Sequence, residues 1–160
     1  MRAAWTAAAI LLALLLQSAL SQLSPAQARL LDPFLLVVVY CALSGGEVHG
    51  MLAGAAAGWV QDALFGGRVL GLSPLSKLVV GYAAGLAGGR LLITSTAARA
   101  LVVLLATVVD ALLVQWFASV FSVQAAMLSP LGLASRATLN ALAGGLLYAL
   151  VDRRWQGYRP

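Results

Sequence analysis

Between Ala3 and Leu23 the chain reads AAWTAAAILLALLLQSALSQL without a single charge, and five further apolar runs follow, each bounded by turn-forming residues. A helix of about 20 apolar residues crosses a hydrocarbon core of ~30 Å, and in lipid a backbone satisfies its polar groups only as helices or a closed barrel. Runs at residues 3–23, 33–44, 47–65, 74–94, 98–121 and 135–151 predict an all-α integral membrane protein. It has about six transmembrane helices in one multi-span membrane domain over residues 1–160.

The balance of residues agrees. Hydrophobic residues make up 62% of the chain and charged ones 9%, whereas about 25% of a soluble domain is charged. The first run follows a basic residue and precedes an A-x-A sequence at Ala26 to Ala28, the marks of a signal peptide. Its length is that of a span, so it reads as a retained first helix.

Local signals set the other boundaries. Asp32 and Pro33 make a cap-and-proline start for helix 2, Gly45 and Gly46 end it, and Ser73 and Pro74 repeat the start for helix 4. Helix 2 has an apolar core of only about a dozen residues, short for a span, which leaves a re-entrant piece open. Residues 122–134, SVQAAMLSPLGLA, read as a surface loop or a short interfacial segment.

With six spans, Arg2, Arg90, Arg99, Arg153, Arg154 and Arg159 fall on the side of the termini, against Arg29, Arg68, Lys77 and Arg136 opposite. The positive-inside rule then places both termini in the cytoplasm. The net charge of +5 is dispersed between apolar runs, which is membrane anchoring and excludes a nucleic-acid patch. Cys41 is the one cysteine and His49 the one histidine, so no internal disulfide forms and a zinc or haem site is not expected. No cofactor is expected either. Ser-His-Asp sets, HExxH, Walker loops and GxSxG are missing from the sequence, and the chain reads as non-enzymatic.

Two glycine ridges are the chain's most specific pattern. On helix 3 the four-residue steps are Gly50, Gly54, Gly58 and Asp62; on helix 4 they are Lys77, Gly81, Gly85 and Gly89. Small residues let membrane helices approach closely, so these ridges are helix-packing or partner-interface candidates and predict a tight antiparallel hairpin. Folded in register, the series pair Asp62 with Lys77, Gly58 with Gly81, Gly54 with Gly85 and Gly50 with Gly89. Arg68 competes for Asp62, and the alternative is that each charge snorkels alone.

Asp110 lies near the middle of helix 5, where an ionised group is expensive and points to function. Its candidate partners are Arg136, Asn140 and Gln115, a possible pocket or buried polar cluster. One reading is a hydrogen-bonded aspartate locking helix 5 to helix 6; the other is a ligand or proton site. His49, beside Glu47, reads as a cap-region residue. Trp5, Trp59, Trp116, Trp155 and Tyr158 read as interface anchors or packing residues. Ala3, Ala4, Ala7 and Ala8 give helix 1 a small face.

Within residues 50–89, the string GMLAGAAAGWVQDALFGGRVLGLSPLSKLVVGYAAG closely resembles the central motif of the MreD family of bacterial rod shape-determining membrane proteins. The glycine ladder before Gln61 and Asp62, the LGLSPLSK segment and the VGYAAG segment carry the likeness. The resemblance implies a scaffold or regulator of cell elongation and peptidoglycan synthesis in the bacterial cytoplasmic membrane. Its implied partners are MreC, a single-span protein with a periplasmic domain, and MreB, RodZ, RodA and the penicillin-binding protein that works with RodA. It also implies a fold like the substrate-binding subunits of energy-coupling-factor vitamin transporters. Such a subunit is therefore the alternative function, with Asp110, Arg136 and Asn140 lining its ligand pocket.

Overall fold

A computed structural model describes residues 2–24, 30–65, 71–90, 95–123 and 129–156, with backbone alone for Arg2 and residues 151–156. Its helices are α1 (Arg2–Leu23), α2 (Pro33–Gly45), α3 (Glu47–Phe65), α4 (Leu72–Arg90), α5 (Thr96–Val120) and α6 (Pro130–Gln156). Two of them, Ala3–Leu23 within α1 and Thr96–Val120, are long and apolar enough to cross a membrane, and Pro33–Gly45 is a shorter apolar helix.

Helix starts follow cap chemistry. Asp32 accepts the Leu35 amide at 3.0 Å with Pro33 in the first turn of α2. At α5, Ser95 accepts the Ala98 amide at 3.2 Å, which moves the start ahead of the expected residue 98. The same device explains a larger difference at α6. Ser129 accepts the Gly132 amide at 3.1 Å and Pro130 opens the helix, so α6 begins at Pro130 and not at residue 135. Residues 130–134, expected as loop or interfacial segment, are therefore helical, while residues 124–128 of that stretch lie outside the described residues. Residues 91–94 of the expected helix 4 lie outside them too.

Although α2 has only 13 residues, about 20 Å of helix, it is the centre of the arrangement and packs against α1, α3, α4 and α5. Phe34 and Val38 join Ile10, Ala13 and Ala57 in one apolar cluster; Leu35, Leu36 and Val39 join Val80, Val103, Ala106 and Tyr148 in the other. A helix apolar on all sides is built to be enclosed. By contrast, α1 packs on α2 and α3, and α6 chiefly on α5. Their outer faces, with Leu11, Leu12, Leu15 and Leu16 on α1 and Leu142, Leu146 and Leu150 on α6, are exposed. Ala3, Ala4, Ala7 and Ala8 of α1 are exposed as well, because α1 docks through Ile10, Ala13 and Gln17.

The hairpin of α3 and α4 is the most extensive helix contact in the structure, and its register differs from the pairing read from the ridges. Gly50 meets Gly81, Gly54 meets the backbone of Lys77, Gly58 meets Pro74, and Gly85 meets Glu47. Each α3 glycine thus faces a residue seven or eight positions earlier than expected, about two helical turns. A Cβ on Gly54 would run into the Lys77 carbonyl, and one on Gly50 into the Gly81 carbonyl; only glycine permits this approach. Gly89 has nothing within 4 Å and stands outside the contact.

The register follows from Asp62. Its Oδ2 accepts the amides of Gly71 at 2.8 Å and Ser73 at 3.2 Å, satisfying N–H groups that the first turn of a helix leaves unpaired. This cross-hairpin cap brings the start of α4 down to Asp62, so the two ridges slide past the expected alignment. The Asp62–Lys77 pair does not form. Arg68, the competing partner, lies outside the described residues.

Candidate functional site

Released from Asp62, Lys77 points into the bundle and is 1% exposed. Its ammonium lies 2.9 Å from Asp32 Oδ2 and 3.5 Å from Asp110 Oδ2. Arg136 Nη2 reaches the same two oxygens, at 3.1 Å and 3.5 Å. Four charges from the start of α2 and from α4, α5 and α6 therefore alternate in sign around a closed ring.

Each corner is fixed by its own helix. Asp32 is placed by capping α2, with Oδ1 on the Leu35 amide and Oδ2 left for the cations. Lys77 and Arg136 both stand in the second turn of their helices, so their side chains enter from the same end of the bundle. Asp110 comes from the middle of α5. Ser76, beside Lys77, donates to Asp110 Oδ1 at 2.7 Å, which holds that carboxylate's orientation. Asn140, one turn beyond Arg136, is fully buried; its Oδ1 accepts the Asp32 amide at 2.9 Å and its Nδ2 donates to the Leu30 carbonyl at 3.4 Å.

Burial makes the charge balance decisive. The ring carries two carboxylates and two cations, formally neutral, with Asp32, Lys77 and Asp110 almost wholly enclosed. Isolated ions in such surroundings carry desolvation penalties of several kcal/mol each. Closed on itself, the ring keeps every charge within 3.5 Å of two opposite charges. Chemically it is a four-helix tie in which each carboxylate faces two cations, while Arg136 Nε is buried without a hydrogen-bond partner among the described residues.

Of the residues expected around Asp110, Arg136 is a direct partner and Asn140 joins through Asp32. Gln115 is half-buried, five residues further along α5, and has no bond to the cluster among the described contacts. Sequence reasoning missed Asp32, taken only as a cap, and Ser76, and it sent Lys77 to the wrong acid. A usable signal existed: Asp32 is a carboxylate set between LL and PFLLVVV, as apolar a setting as that of Asp110.

At the opposite end of the bundle a smaller polar contact ties three helices. Thr6 Oγ1 of α1 is 3.1 Å from His49 Nε2 of α3 and 3.8 Å from Cys41 Sγ of α2. His49 thus bonds a neighbouring helix and does not serve as a cap residue alone. Nearby Arg99 stacks over the Tyr148 ring at 5.2 Å, a cation–π contact. Trp5, Trp59 and Trp116 are exposed, while the side chains of Trp155 and Tyr158 lie outside the described residues.

A family model described as rod shape-determining protein MreD matches residues 3–153. No curated protein and no solved structure matches the chain.

Proposed function

The chain belongs to the MreD family of rod shape-determining membrane proteins, and from that premise we propose that it is a non-enzymatic, multi-pass scaffold of the cell-elongation machinery that binds MreC. The observation that carries this reading is the extent of the family match, residues 3–153, which takes in the glycine hairpin and every corner of the ionic ring. A ring that neutralises its own charges suits a rigid support, since it holds helices in fixed relation without leaving a reactive group. The outer faces, rich in exposed leucine on α1, α5 and α6, suit contact with lipid and with a partner's membrane helix.

In this reading the six helices cross the cytoplasmic membrane with both termini in the cytoplasm, and the ring lies toward the outer side. MreC engages the bundle through its single span. MreB, RodZ, RodA and the penicillin-binding protein paired with RodA act in the same assembly.

Affinity purification of the full chain from bacterial membranes in mild detergent, with identification of stable partners, tests the proposal. MreC is expected in near-stoichiometric amount, and depletion of the chain is expected to turn rods into spheres. Recovery of a vitamin-like ligand with a transmembrane coupling protein and ATPases would instead identify a transporter subunit and overturn the scaffold reading.

A further inference from the structure

The ring's charges divide along the same line as the helix packing. Helices α2, α3 and α4 pack on one another as one unit, while α6 packs chiefly on α5, and α5 more on α6 than on α4 or α2. The first unit contributes Asp32 and Lys77, paired at 2.9 Å; the second contributes Asp110 and Arg136, paired at 3.5 Å. Each unit is therefore formally neutral by itself.

Contacts across the seam between the units differ in kind from those inside the first. Gly50 and Gly54 bring backbone against backbone, so close that an added Cβ would strike a carbonyl. Across the seam, Leu35, Leu36, Val39 and Val80 meet Val103, Ala106 and Tyr148 through side chains, and Gly144 of α6 faces the side chains of Val103 and Leu36. Lipid tails are as apolar as these groups, so separating them carries little of the penalty it would have in water. The polar ties over the seam are Lys77 to Asp110 at 3.5 Å, Arg136 to Asp32 at 3.1 Å, Ser76 to Asp110 Oδ1, and Asn140 to the Asp32 amide and the Leu30 carbonyl. Parting them leaves Asp32 on Lys77 and Asp110 on Arg136, so no ion loses its last opposite charge within the bilayer. Had one unit carried both carboxylates and the other both cations, the same separation would strand like charges on each side.

We propose that the α5–α6 hairpin is a movable unit that parts from the α2–α3–α4 body, the ring opening into the pairs Asp32–Lys77 and Asp110–Arg136 and closing again. The rigid support lies within each unit, and the seam between them is its adjustable joint. This goes beyond the scaffold reading and rests on the bundle lying in a bilayer.

Double electron–electron resonance on the full chain in nanodiscs, with Cys41→Ser and paired spin labels at exposed positions, reads the seam. Labels at Val79 of α4 and Leu142 of α6 span it; labels at Val48 of α3 and Leu75 of α4 stay inside the first unit and report that it is folded. Two neutral double variants share Asp110→Asn and differ in the cation removed. With Arg136→Gln the surviving pair is Asp32–Lys77, inside one unit, and the Val79–Leu142 distance should lengthen by about 5 Å, the scale of a one-turn displacement. With Lys77→Gln the surviving pair is Asp32–Arg136, across the seam, and that distance should stay within about 2 Å of its value in the unaltered ring, the play of packed helices. Equal shifts in the two variants, or none in either, would overturn the proposal. Should either variant lose the Val48–Leu75 distance, the unaltered ring decides. Two interchanging shapes predict a Val79–Leu142 distribution about twice as broad as the Val48–Leu75 one, and equal breadth would overturn the movable unit.

Discussion

Lys77 Nζ lies 2.9 Å from Asp32 Oδ2, joining the second turn of α4 to the residue that caps α2 across 45 positions of sequence. Helix capping and charge pairing meet in one carboxylate: Oδ1 serves the α2 backbone and Oδ2 serves the cations. The start of the central helix is therefore set by the same group that neutralises the buried lysine.

Asp62 belongs to a separate device. Because it caps α4 across the hairpin, Asp62→Ala should lower stability by about 0.5–2 kcal/mol, the range for lost N-caps, and Asp62→Asn by less. Combined with Lys77→Gln, its effect should add within about 0.5 kcal/mol, and exchange of the two residues should rescue nothing. Thermal unfolding in nanodiscs measures all of these variants.

The glycine ridges make a contrasting pair. Gly54→Ala drives a methyl into the Lys77 carbonyl and should destabilise by about 1–3 kcal/mol, as overpacking does. Gly89→Ala meets open space, and the gain in helix propensity of about 0.5–1 kcal/mol should leave it neutral or slightly more stable. The same unfolding assay separates them; equal losses would contradict the observed register.

Asn140→Leu removes the acceptor of the buried Asp32 amide. The orphaned donor should cost about 1–3 kcal/mol, and Asn140→Asp should cost more by adding a third carboxylate to a balanced ring. Protease susceptibility of the segment between α1 and α2 should rise in both variants.

At the other end, Thr6→Val deletes the hydroxyl that meets His49 and Cys41. A loss of about 0.5–1.5 kcal/mol is expected for one hydrogen bond. Hydrogen exchange should show it confined to the first two turns of α1 and to the start of α3, leaving the ring unaffected.

The sequence is informative wherever one local cause decides the outcome. Cap chemistry at Asp32–Pro33 marked the start of α2, and four-residue glycine steps marked two helices able to approach closely. The register of that approach depended on Asp62 bonding amides in the next helix, a long-range choice that spacing alone does not reveal. Lys77 and Asp62 look like partners when ridges are laid side by side; a two-turn slip puts Lys77 opposite Gly54 and frees it for Asp32 and Asp110. The Ser129–Pro130 start of α6 was readable by the rule applied at Asp32 and was obscured by the polar, glycine-bearing stretch around it. Asp110 declared itself by its depth, while Asp32 was hidden by having a sufficient local role.

The four buried charges act as one unit, and a double-mutant cycle on Lys77→Gln and Asp110→Asn, read by thermal unfolding in nanodiscs, tests that most directly. Each single change leaves the ring with an uncompensated charge and should cost about 3–5 kcal/mol, whereas the double variant restores neutrality. The prediction is a double variant more stable than the two single losses allow, with a coupling above about 1 kcal/mol; additivity within about 0.5 kcal/mol would contradict the ring.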